Sequence, residues 1–125
     1  MTTAFEKGMA LREKRRLKAA VEAFERAVAE DPANAQAWFW LAATRDNRAL
    51  EAEAIPAYER ALDLGLNDTD APKAWTWLAS SYSKTGQCPE ALNALGHAEA
   101  TGGYEPRGDF ERVAKAVRRR CRRAS

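Results

Sequence analysis

One spacing, met three times, constrains what this chain can become. Gly8 is followed after twelve residues by Ala20, after four more by Phe24 and after a further three by Ala27. Ala42, Ala54, Tyr58 and Ala61 keep the same intervals, and so do Ala79, Ala91, Leu95 and Ala98. Steps of three and four keep residues on one helix face, and a pattern recurring at this period marks stacked helical units. It divides the chain into segments of about 1–34, 35–68 and 72–105. The second and third segments also carry Trp38 and Trp75 four positions before the small residue. These tryptophans are 37 residues apart because the junction from Gly65 to Asp70 is longer than the others.

Punctuation agrees with the repeat. Asn34 and Asp70 stand at N-cap distance before Trp38 and Trp75, and Pro32, Pro72 and Pro89 fall where helices should break or begin. Pro56 lies inside the second helix of the middle segment, which should therefore be kinked or start late. After Gly102 and Gly103 a last helix is expected from about Pro106 or Asp109 to Arg122. Its apolar residues Phe110, Val113, Ala114, Val117 and Cys121 form one stripe, as a capping helix over the last repeat would need.

Composition removes several function classes. With 125 residues, 46% apolar and 30% charged, one soluble domain is expected over 1–125. No stretch is long and apolar enough for a membrane span. The opening MTTAFEKGMALREKRR has no apolar core before a small-residue cleavage site, so a cytoplasmic address is expected. Cys88 and Cys121 stand far apart without a CxxC pair, and His97 is the only histidine, so no metal site and two free thiols are expected. Catalysis lacks its parts as well: no nucleophile is paired with a base, and GxSxG, HExxH and a Gly-rich phosphate loop are missing. Neither enzyme activity nor a cofactor is expected, and the carboxylates are read as ordinary surface charges and caps.

The marked residues resemble the tetratricopeptide repeat (TPR), a unit of about 34 residues with a tryptophan, leucine, small residue, tyrosine, then alanine, aromatic, alanine and proline pattern. The resemblance covers residues 1–105, with Ala4 and Arg45 standing where the family has an aromatic and a tyrosine. It implies an all-α, right-handed TPR solenoid of three helix-turn-helix repeats plus a capping helix and basic tail over 106–125. Trp38 and Trp75 would then fill the core between neighbouring repeats.

The resemblance also implies a concave groove, built from the second, fifth, sixth, ninth and twelfth positions of each first helix. These are Thr2, Phe5, Glu6, Met9 and Arg12, then Gln36, Phe39, Trp40, Ala43 and Asp46, then Lys73, Thr76, Trp77, Ser80 and Ser83. One TPR subfamily grips acidic chaperone C-termini through a carboxylate clamp, whose positions here hold Phe5, Met9, Trp40, Lys73 and Trp77. Only Lys73 matches, so no clamp is expected. What replaces it is aromatic, and Phe5, Met9, Phe39, Trp40, Lys73 and Trp77 become the candidate site for a partner's peptide or helix, or for a second copy of the chain. The alternative is electrostatic. Residues 112–123 contain seven basic and no acidic residues in a chain of net charge +2. Arg118, Arg119, Arg120, Arg122 and Arg123 would then meet nucleic acid or another polyanion.

Overall fold

The computed structural model describes residues 2–122. Among them are seven α-helices and no strand: α1 (Ala4–Glu13), α2 (Leu17–Glu30), α3 (Ala35–Asn47), α4 (Glu51–Leu64), α5 (Asp70–Lys84), α6 (Cys88–Ala100) and α7 (Arg107–Cys121). They form two compact units, one up to Gly65 and the other from Leu66 on.

In the first unit α1 pairs with α2, α3 pairs with α4, and α2 joins the pairs by packing on α3. Thr3 starts α1 with a reciprocal cap: its hydroxyl accepts from the Glu6 amide while the Glu6 carboxylate accepts from the Thr3 amide. Asn34 caps α3 as expected, accepting from the Ala37 amide at 3.2 Å. The inward stripe of α2 is Ala20, Val21, Ala23, Phe24, Ala27 and Val28. Facing it, Gly8 lies so close to the Phe24 ring that a β-carbon there would sit 2.6 Å from it. The repeated small residue is thus the contact that lets a bulky side chain of the second helix reach the first. Helix α4 is continuous from Glu51, with Pro56 exposed on its outer side. It does not start late, and there water can satisfy the carbonyl that lost its partner.

The second unit holds α5 and α6, paired as in the other repeats, and α7. Its core is Ala74, Leu78, Ala79, Ala91, Leu95 and Ala98, sealed by Phe110, Ala114, Val117 and Cys121 of α7. Helix α7 packs chiefly on α5 and less on α6. The long junction has its own device: the Asn67 side chain accepts from the amides of Thr69 and Asp70, so the start of α5 is tied down from outside the helix.

The same backbone bond closes all three turns between paired helices. The amides of Arg16, Leu50 and Gln87 donate to the carbonyls of Leu11, Arg45 and Tyr82 at 2.8–2.9 Å. Such a closure puts the preceding residue in the left-handed region. Those residues are Arg15 (φ +63°), Ala49 (φ +60°) and Gly86 (φ +80°), so the third repeat uses glycine where the first two hold strained side chains.

Two alanine substitutions separate packing from helix propensity. Gly8→Ala gains about 1 kcal/mol of propensity but must push the buried Phe24 ring aside, at about 1–3 kcal/mol. It should lower the melting temperature. Gly96→Ala, in an exposed part of α6 where a β-carbon meets nothing within 4 Å, should raise it. Paired thermal melts check both signs.

Candidate binding site

The face expected at the groove can be followed in each unit. In the first, α1 contributes Phe5, Met9 and Arg12, all half-buried, and α3 contributes Trp40, also half-buried. Phe5 rests 6.0 Å from the Phe24 ring. The Arg12 guanidinium lies 5.0 Å above the Trp40 ring and donates to the Thr44 hydroxyl at 3.0 Å. That hydroxyl in turn donates to the Trp40 carbonyl at 2.6 Å, and the Trp40 indole N–H donates to Gln36 Oε1 at 3.3 Å. Partial burial pushes the Arg12 pKa down, against the opposing fields of Tyr58 and Asp46, without removing a charge that arginine keeps in proteins. The result is a tryptophan held by a cation on its face and an amide at its indole N–H.

Three expectations about aromatic residues are corrected here. Phe39 is not a groove residue: it is fully buried, 4.9 Å from the Trp40 ring and 6.4 Å from the Tyr58 ring. Its position lies at the margin of the inner face, and the ring turns towards the helix pair. Trp38 is only half-buried, its indole N–H bonded to the Pro32 carbonyl at 2.8 Å. Trp75 is half-buried too, and stacks at 4.2 Å on the exposed His97 of its own repeat. The expected contrast between a core and a groove tryptophan within one helix is therefore absent in burial. Alanines and leucines fill the core, and the indoles lie over its edge.

In the second unit the chain covers its own groove positions. The Trp77 indole N–H donates to the Tyr104 hydroxyl at 3.1 Å, and the two rings meet edge to face. The Tyr104 hydroxyl donates to Asp109 at 2.6 Å, and Arg112 donates to the other oxygen of that carboxylate at 2.7 Å. Lys73 is half-buried, and its charge adds to the field at Asp109. Farther along, Arg120 donates to the Ser83 hydroxyl at 3.1 Å. Thr76 is fully buried, its hydroxyl donating to the Pro72 carbonyl at 2.7 Å. Thr76, Trp77 and Ser83 are thus occupied within the unit. Contact order along α7, Asp109 early and Arg120 late, makes α7 run parallel to α5.

Cys88 and Cys121 are joined in a disulfide with a Cα–Cα distance of 5.4 Å, which corrects the expectation of two free thiols. Cys88 opens α6 and Cys121 closes α7. With α6 antiparallel to α5 and α7 parallel to it, these two ends meet. The C-terminal arginines are only partly available. Arg118 is ion-paired with Glu99 and Arg120 holds Ser83, while Arg119 is exposed. Arg123 lies outside the described residues. Among the described residues no cluster of three or more His, Cys, Asp or Glu side chains is placed to hold a metal ion, and no helix is long and apolar enough to cross a membrane.

Paired helices closed by one recurring turn bond, presenting polar and aromatic side chains on their first helices, define a helical-repeat protein of the α-solenoid class. Within that class, the chain belongs to the tetratricopeptide-repeat family: a model described as "Tetratrico peptide repeat" matches residues 35–118, and one described as "Tetratricopeptide repeat" matches residues 3–44. It is 36% identical over 92 residues to the PEX5-related protein of Homo sapiens, a match covering 74% of this chain and 14% of that protein. The PEX5-related protein of Mus musculus is 35% identical over 92 residues, with 74% and 16% covered. The chain therefore spans about one-seventh of the length of the curated relatives it matches. Among solved structures it is similar to MamA, with a TM-score of 0.71 and 24% identity over 80% of this chain and 58% of that one. It is also similar to a chain of the CopN-Scc3 complex, with a TM-score of 0.72 and 18% identity over 91% and 64%. These likenesses concern the fold.

The bonds around Tyr104 set a pH dependence. Asp109 has its pKa lowered first by the Tyr104 hydroxyl and then by Arg112, while the Tyr104 pKa is raised by burial and by its bond to Asp109. A depressed carboxylate pKa contributes stability that is complete above the unfolded value of 3.8 and is lost as pH falls through the lower folded value. Tyr104→Phe should cost about 1 kcal/mol at neutral pH. Urea unfolding of both proteins should show that gap closing as pH drops below the unfolded value.

Proposed function

We propose that this protein is a protein–protein interaction module that receives a partner's helix or extended peptide on the face formed by Phe5, Met9, Arg12 and Trp40, without a carboxylate clamp. The observation that carries the reading is the Trp40 ring, half-exposed yet held by Arg12 and Gln36. A large ring already fixed in place loses little freedom on binding, and tryptophans and arginines in such settings are frequent hot spots. Family membership supports the same reading, and so does similarity to a chain solved within the CopN-Scc3 complex. Lys73 and Trp77, also expected at the groove, lie in the second unit, where the Trp77 indole N–H is bonded to Tyr104.

The test uses peptides selected from a random display library on the intact chain. Trp40→Ala should weaken the selected peptides by about 2 kcal/mol, roughly 30-fold, while melting changes little. Phe24→Ala, which empties the core, should cost about 3–5 kcal/mol of stability. Equal peptide binding by Trp40→Ala and the parent, or unfolding as severe as in Phe24→Ala, would place recognition elsewhere.

A second reading makes the protein an adaptor for nucleic acid or another polyanion. One observation favours it: Lys115, Arg119 and Arg122 are exposed and recur at spacings of four and three on one side of the C-terminal part of the chain. Binding of an oligonucleotide would then weaken steeply with salt, and glutamates at Arg119 and Arg122 would abolish it. Binding that is insensitive to salt, or unchanged in the charge-reversed variant, would exclude this reading.

A further inference from the structure

The second unit presents a surface that is built and then covered. Three of the five positions expected at the groove on α5 are engaged within the unit, two of them by the segment from Tyr104 to Arg120. That segment is held at two ends. Near its start, Tyr104 bridges Trp77 and Asp109. At its finish, Cys121 is bonded to Cys88 across 33 residues, with Arg118 paired to Glu99 and Arg120 bonded to Ser83 beside it. The polar contacts are individually weak and exchange readily with water. Only the disulfide is a bond that solvent cannot compete for.

We propose that Cys88–Cys121 is a thiol–disulfide exchange site whose substrate is a dithiol reductant, and that its state decides whether α7 covers the inner face of α5. The placement of Cys88 supports exchange. Cys88 is the first residue of α6, where the N-terminal dipole favours a thiolate. That placement stabilises the reduced form against the bonded one. One thiolate of the reductant attacks a protein sulfur, forming a mixed disulfide and expelling the other sulfur as thiolate. The second thiol of the reductant then displaces the first protein sulfur. The net change moves two electrons and two protons to the protein, leaving Cys88 and Cys121 as thiols and the reductant as a disulfide. Both protein sulfurs are buried, so the last turn of α7 must lift for the attack, and chemistry and movement share one step.

Once the bond is gone, α7 is held by its apolar stripe and by exchangeable polar contacts. Its release frees Trp77 and Ser83 from that segment, two of the positions the interaction reading would use in this unit. The inference rests on that reading for its consequence. Its test does not, because it needs no partner.

The experiment is hydrogen exchange by mass spectrometry on the intact chain, oxidised, reduced with dithiothreitol, and as Cys121→Ser, with thiol alkylation reporting the state of the bond. Reduction should speed amide exchange in α7 by about tenfold or more while leaving α1 to α4 unchanged. Cys121→Ser should match the reduced protein and ignore dithiothreitol, and Cys88→Ser should do the same. The proposal is overturned if α7 exchange is identical with the bond made and broken. It is equally overturned if exchange rises uniformly through the chain, which would make the bond a general staple, or if both thiols alkylate fully under oxidising conditions.

Discussion

The distance between paired helices is the constraint on which the rest depends. It is set by small residues, of which Gly8 against Phe24 is the tightest case. Ala42 and Ala79 hold the same place and are fully buried. Because the pairs are this close, the core is mostly alanine, and large rings are accommodated only at chosen points such as Phe24, Phe39 and Tyr58. The tryptophans are then left at the margins, where the indole N–H groups of Trp38, Trp40 and Trp77 find partners. The exposed aromatic character of this protein follows from how tightly its helices pack.

Marginal tryptophans meet two different fates. In the first unit Trp40 is braced by Arg12 and Gln36, which fix the ring without hiding it. In the second unit Trp77 is bonded to Tyr104, and the chain beyond Tyr104 runs along α5. A capping helix is ordinarily explained by the apolar end surface it hides. Here α7 does that with Phe110, Ala114, Val117 and Cys121, and with polar side chains it also engages positions that a ligand would use.

The charge asymmetry reads differently once the helices are placed. Seven basic residues in twelve look like a free electrostatic arm. In the folded chain Arg112 is paired with Asp109 of the same helix, while Arg118 on Glu99 and Arg120 on Ser83 hold α7 in place. Part of what resembles a binding tail is the attachment of the helix to its own unit.

Much of the fold was legible in the sequence because the information is local or periodic. The recurring small residues, Asn34 before α3 and the apolar stripe of α7 act within a few turns of helix, so their spacing fixes pairs, caps and the helix after the last repeat. Which side of an aromatic-rich helix meets solvent was not legible. Phe39, Trp38 and Trp40 are neighbours in sequence, and in the fold they meet Tyr58, Pro32 and Arg12, residues distant from one another along the chain. Nor could spacing pair Cys88 with Cys121, because the bond exists only where α7 lies parallel to α5 and brings two distant helix ends together. Sequence determined the helices and their pairing through interactions between residues a few positions apart. Only the tertiary structure decided what each face touches, because that is settled by contacts between residues far apart in the chain.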